Sequence, residues 1–174
     1  DRGFRKPVVK GVTANVICAA MLGGDEYPAS AIGINLPNAN WIRQTYGSKS
    51  VTIGNLTEAY NKAAHGNVFD EEFVIDKDTL AMIEKYSDLT DDLHTDLHEC
   101  LGHGSGHLLP GPAPDALKAY GNTIEEARAD LFGLYYMADE KLVELGLLPD
   151  AEAYKAQYYT YLMNGLLTQT IRIK

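Results

Sequence analysis

The sequence predicts a mostly α fold of the α+β kind, and three observations carry that expectation. Helical periodicity, with capping and stop signals, recurs from about residue 55 onward. One island near residues 29 to 54 reads instead as extended, β-like chain punctuated by Gly33 and Pro37. The 174 residues, 45% hydrophobic and 22% charged, are ordinary globular values and enough to build a hydrophobic core.

Taken in order, residues 8 to 22 read as a buried helix, with Gly23-Gly24 as its stop. The stretch "ASAIGINLPN" (29–38) is short, apolar and extended, and ends in a turn. "NLTEAYNKAAHG" (55–66) opens with Asn55 three residues before Glu58, in the manner of a capping box, and closes on Gly66. A helical pattern follows through Phe73, Leu80, Ile83 and Tyr86. After a histidine-rich stretch, a Pro/Gly loop within residues 108–122 leads into a short helix. Residues 123 to 145 read as one amphipathic helix, capped by Thr123 and ended by Gly146. Pro149-Asp150 then starts a last helix rich in tyrosine and leucine. No repeat or low-complexity tract interrupts the pattern.

Charge and composition exclude several functions. The formal charge is −9, from 24 acidic and 15 basic residues, which argues against nucleic acid as a partner. No apolar run approaches the ~20 residues that cross a bilayer, and no signal-peptide pattern opens the chain, so no membrane partner is expected. Two cysteines are too few for a disulfide framework, which makes a reducing, cytoplasmic setting the default expectation. The chain begins at Asp1 and stops at "LLTQTIRIK" inside an apolar-periodic run, so a piece of a larger protein is expected.

The chemistry concentrates in "HTDLHECLGHGSGH" (94–107), which holds four of the five histidines. A zinc-peptidase helix would read H-E-x-x-H, with the two histidines one turn apart. Here His98-Glu99 is followed by His103, one residue too late. In a regular α-helix, five residues at about 100° each leave the two rings about 140° apart. A π-type bulge absorbs one extra residue and brings them together, and Gly102 is the residue best able to take an unusual backbone there. A catalytic zinc site also needs a third protein ligand, with the fourth position left to water. "NTIEEARAD" (122–130) supplies the acids: Glu125 and Glu126 in the first turn of the next helix, and Asp130 one turn after Glu126 on the same face.

The combination of H-E-x-x-G-H with E-E-x-R-A-[DE] resembles the dipeptidyl peptidase III family, the M49 zinc exopeptidases. "GDEYPASAIGINLPN" (24–38) and "GSKSVTIGN" (47–55) belong to the same resemblance, which therefore runs over most of the chain. Departures are small: Ala127 stands where some relatives carry cysteine, and Asp130 where some carry glutamate. Only 28 residues separate His98 from Glu126, fewer than in some members.

The resemblance implies one Zn²⁺ per chain, held by His98, His103 and Glu126, with Glu99 as general base. It implies that Glu125 and Asp130 orient the two imidazoles. It places residues 1–18 in a helical catalytic lobe, 19–64 in a β-containing lobe lining the substrate cleft, and 65–174 in the helical zinc-binding lobe. Asn35 and Asn38 match asparagines that grip the amino terminus of an oligopeptide, which gives dipeptide release. Turn formation around Pro37 is an equally good use of Asn38. A tyrosine and a histidine that stabilise the tetrahedral intermediate in relatives have no match here. A chain without the remaining segments of the full-length enzyme is thus expected to bind zinc and turn over poorly.

Other residues draw plainer expectations. His94 and His107 suit surface or loop roles, and His65 beside Gly66 suits a helix end. Cys100 is expected to be a buried structural thiol and Arg128 to pair with a carboxylate. The competing function from another class is a non-catalytic, zinc-containing peptide-binding module, which would have no use for Glu99. A small endopeptidase complete in itself would need a cleft wall and an oxyanion partner that this length scarcely supplies.

Overall fold

A computed structural model of the chain describes residues 13–20, 31–37, 39–64, 68–104, 111, 113 and 115–173. His65, Gly66, His107, Asn38 and the Gly23-Gly24 stop lie outside the described residues. The chain divides into two compact units, one of residues 1–57 and 95–133, the other of 58–94 and 134–174.

Unit 1 is built around a three-stranded sheet. Strands β1 (Thr13–Ile17), β2 (Gly33–Leu36) and β3 (Lys49–Ile53) lie in the order β1-β3-β2. β1 runs parallel to β3 with Thr13 opposite Lys49, and β2 runs antiparallel with Asn35 opposite Ser50. The extended reading of 29–38 is met by β2. The buried helix expected over 8–22 is not: residues 13–17 form an exposed edge strand. Thr13, Val16 and Ile17 are β-branched, and a short apolar run of this kind fits strand or helix equally until a pairing partner decides. The β-like island is also interrupted by helix α1 (Asn40–Tyr46), which has no side-chain cap to announce it and stops at Gly47, φ 87°.

Helix α2 (Gly54–Ala64) begins one residue before Asn55, so that side chain does not cap it. Its amide instead exchanges two hydrogen bonds with the backbone of Ala19, both 2.9 Å. Glu58 pairs with Lys62 one turn on. The helices after it are α3 (Val68–Phe73) and α4 (Lys77–Leu97). On α4 the buried positions are Ile83, Tyr86, Thr90, Leu93, His94 and Leu97, which fall three or four apart along one buried stripe, with Leu93 and His94 side by side within it. Beyond α4 the backbone changes period and forms a π turn over His98–His103.

A 3₁₀ turn (Lys118–Tyr120) feeds directly into α5 (Gly121–Met137), which therefore starts two residues before Thr123 and needs no cap from it. Glu125 and Glu126 accordingly sit in its second turn, not its first. The single helix expected to Gly146 is two: Asp139 takes an extended backbone, accepts from the amide of Lys141 at 2.9 Å and caps α6 (Glu140–Glu144). Gly146, φ 71°, does end it.

In unit 2, Asp150 caps a turn through the amides of Glu152 and Ala153, and α7 (Tyr154–Met163) starts four residues after it. Tyr86 donates to Asp150 at 2.5 Å, fixing α4 to that turn. Met137, Ala153 and Ala156 are fully buried. Among the described residues no helix is long and apolar enough to cross a membrane.

Asp91 gives unit 2 a pH dependence. Burial, with Asp88 and Asp92 nearby, pushes its carboxyl up to about 6 against the opposing hydrogen bond of Gln157. The folded state then holds a proton that the unfolded chain releases near pH 4, so stability falls as pH rises from about 4 to about 6 and is flat above. Asp91→Asn is expected to stabilise the fold at pH 7 by up to about 3 kcal/mol, as two pKa units imply, and to make that slope shallower by Asp91's share. Urea unfolding from pH 4 to 7 checks it; a variant less stable than wild type at pH 7 contradicts it.

Candidate metal centre

The π turn turns His98 and His103 toward each other. Their Nε2 atoms lie 3.1 Å apart, with rings nearly perpendicular at 84°. Gly102, between them, takes the π turn without a positive φ. Its role is close packing: a Cβ there would lie 2.7 Å from both the Cα and the Cβ of Ala129 on α5. This contact lays the turn directly against the helix that carries the acids.

From α5, Glu126 brings Oε2 to 3.4 Å from His98 Nε2 and 3.6 Å from His103 Nε2. These three are the group of metal-ligating atoms found among the described residues. Glu125 and Asp130 meet the other side of the rings. Asp130 Oδ1 lies 2.7 Å from His98 Nδ1, and Glu125 Oε1 lies 3.2 Å from His103 Nδ1. The structure thus brings His98, His103, Glu125, Glu126 and Asp130 together.

The donor set fits a divalent ion on two counts. Ligands ~2.0–2.1 Å from zinc at tetrahedral angles stand about 3.3–3.5 Å from one another, and the observed spacings straddle that range. The carboxylates at both Nδ1 atoms accept, so Nδ1 carries the proton in each ring and both Nε2 atoms present lone pairs. Two lone pairs and a carboxylate oxygen converging on one point repel unless a cation lies among them. Glu126 has a side chain 62% exposed, which leaves one side of the site open, as catalytic zinc sites are and structural ones are not.

Electrostatics follow from these contacts. Burial disfavours a charged His98, yet Asp130, with Glu99 and Glu126, outweighs it and lifts the ring's pKa. Burial also opposes ionisation of Glu125, but Arg128 and His103 overcome it and hold the carboxyl at about 2. Glu99 is buried on the π turn, and burial raises its carboxyl above the usual range; the two imidazoles pull it back, while Glu126 and Asp96 push it up. No donor among the described residues reaches its Oε2. Its other oxygen sits against β2, where a Cβ on Gly33 would come within 2.7 Å of Oε1.

Other expectations are corrected. His94 is buried, not at the surface, and meets Tyr161 edge to face at 5.4 Å. Cys100 is half-buried; burial raises its thiol, Asp96 and Glu99 add to that, and a hydrogen bond with Ser50 opposes it. A thiol so raised is a poor ligand.

Asn35 is buried on β2, donating Nδ2 to Ser50 Oγ at 2.7 Å and to the Glu99 carbonyl at 3.1 Å. Arg128 pairs with a carboxylate as expected, that of Glu125 three residues before it, and also donates to the Gly102 carbonyl at 2.7 Å. Neither carbonyl contact has a local sequence signal, since the partners lie 64 and 26 residues apart.

Comparison with known proteins points the same way. Dipeptidyl peptidase 3 of Dictyostelium discoideum is 28% identical over 162 residues, covering 73% of this chain and 22% of that protein. The human dipeptidyl peptidase 3 is 29% identical over 161 residues, covering 75% and 21%. The solved structure of DPP III from Caldithrix abyssi matches with a TM-score of 0.55 at 28% identity, over 78% of this chain and 25% of that one. The chain thus spans roughly a fifth to a quarter of the length of these relatives. The family model "Peptidase family M49" matches residues 26–118, more than half of the chain and including both histidines and Glu99. On this match and the geometry of the π turn, the chain belongs to peptidase family M49, the dipeptidyl peptidase III family.

Proposed function

We propose that this chain is the metal-binding part of a zinc-dependent dipeptidyl peptidase that releases dipeptides from the amino terminus of oligopeptides. The single observation that carries this reading is the convergence of His98 Nε2, His103 Nε2 and Glu126 Oε2 at tetrahedral spacing with one side open.

Zinc bound by these three residues supplies Lewis-acid polarisation and acidifies water. Glu99, next to one ligand and with an unpartnered carboxylate oxygen, is the group that takes a proton from the attacking water and returns it to the leaving amine. Asp130 and Glu125 hold the imidazoles in the tautomer that leaves Nε2 free. Asn35 keeps its buried Oδ1 without a donor among the described residues, an acceptor suited to a substrate ammonium. Asn38 is assigned the same task by the motif match. Two free cysteines fit a cytoplasmic setting. The remaining segments of the full-length enzyme supply the groups that stabilise the tetrahedral intermediate.

Zinc content and hydrolysis of a dipeptidyl arylamide, measured on this chain and on a longer chain that contains it, test the reading. The expected result is one zinc per chain in both, near none after Glu126→Ala, and turnover far higher in the longer chain. Stoichiometric zinc without hydrolysis by the longer chain would favour a peptide-binding module. Zinc retained by Glu126→Ala would remove the proposed ligand set.

A further inference from the structure

The metal site exists only while residues 98–103 hold a π turn, because a regular helix would swing the rings about 140° apart. Such a turn is an irregularity that the surroundings must fix, since its carbonyls depart from the regular helical ladder and still require partners when buried. Both Glu99 and Gly102 are buried. Side chains from two different elements reach their carbonyls. Asn35, on β2, donates to the Glu99 carbonyl while its cross-strand neighbour Ser50 holds the same amide from the other side. Arg128, on α5, donates Nη2 to the Gly102 carbonyl while Nε and Nη2 grip both oxygens of Glu125, the carboxylate behind His103.

We propose that Asn35 and Arg128 are positioning residues that clamp the π turn from two elements, β2 and α5, and that this clamp, beyond the ligands themselves, sets the spacing of the two imidazoles. The inference rests on the zinc-peptidase reading above. It gives Asn35 a task separate from any grip on substrate. Asn35 makes no hydrogen bond to either imidazole or to Glu126, so any effect on the metal must pass through the backbone of the turn. Arg128→Lys keeps a positive charge beside Glu125 but lacks the planar fork that serves Glu125 and Gly102 together.

The test measures zinc affinity by chelator competition for wild type, Asn35→Ala and Arg128→Lys, with kcat and KM for each in the longer chain. Expected is a loss of zinc affinity of about 10–100-fold in each variant, the range seen when groups that orient ligands are removed, with kcat lowered in both, KM little changed in Arg128→Lys, and KM raised in addition in Asn35→Ala by loss of the ammonium contact. An Asn35→Ala variant that raises KM alone, with zinc affinity within twofold of wild type, overturns the clamp and leaves Asn35 a substrate contact. Should Arg128→Lys fail to fold by circular dichroism, Asn35→Ala decides alone. Wild type that binds no zinc overturns the peptidase reading and the clamp with it; wild type that binds zinc while both variants match it overturns the clamp only.

Discussion

Glu99→Gln is expected to lower peptide hydrolysis by the longer chain about 10²–10⁴-fold, the contribution general base catalysis commonly makes, while zinc stays at one per chain. Glutamine occupies nearly the same volume, so the close contact with Gly33 on β2 survives. What it removes is the basic oxygen. Glu99 lies buried beside both imidazoles, with one oxygen lacking any donor among the described residues. Leaving a buried carboxylate oxygen unpaired costs stability, and the proposed proton-transfer task would account for that cost. Steady-state kinetics with a dipeptidyl arylamide, alongside elemental zinc, check the expectation. Wild-type turnover by Glu99→Gln would remove Glu99 from the mechanism.

Gly102→Ala is expected to unseat the site and destabilise the fold, and the sign of that effect is diagnostic. Gly102 has no left-handed backbone to protect. On helix propensity alone, alanine would stabilise the turn by about 1 kcal/mol. Packing dictates the reverse. The new Cβ would meet the Cα, Cβ and carbonyl oxygen of Ala129 at 2.7, 2.7 and 2.9 Å, and Ala129 is fully buried. These are mainly backbone atoms, which no rotamer change moves aside. α5 must retreat, taking Glu125, Glu126, Arg128 and Asp130 with it. Overpacking of this kind costs about 1–3 kcal/mol, and zinc affinity is expected to fall in parallel. Urea unfolding and metal titration read both effects. A variant more stable than wild type that still binds zinc would show that the helices have room there.

The site was legible in the sequence largely because metal chemistry is restrictive. Histidines five apart converge only on a π turn, and the structure supplies one at His98–His103. Which of Glu125, Glu126 and Asp130 would complete the set came from the family resemblance, not from spacing. Where the reading failed, local pattern did not carry the deciding interaction. Residues 13–17 became a strand because Lys49–Ile53 offered a parallel partner, a fact 36 residues distant. Thr123 looked like a cap because the incoming 3₁₀ turn, which makes a cap unnecessary, has no strong signature. Gly102 was read through backbone freedom when its reason is a neighbour 27 positions along the chain. The clamp by Asn35 and Arg128 belongs to the same class.

Zinc-edge anomalous diffraction from crystals of the metal-loaded protein tests the central claim most directly. One anomalous peak about 2.0–2.2 Å from His98 Nε2, His103 Nε2 and a carboxylate oxygen of Glu126 is the expected result, with residues 98–103 still in a π turn. A peak held by other residues, or a regular helix with the two imidazoles facing apart, would contradict the account.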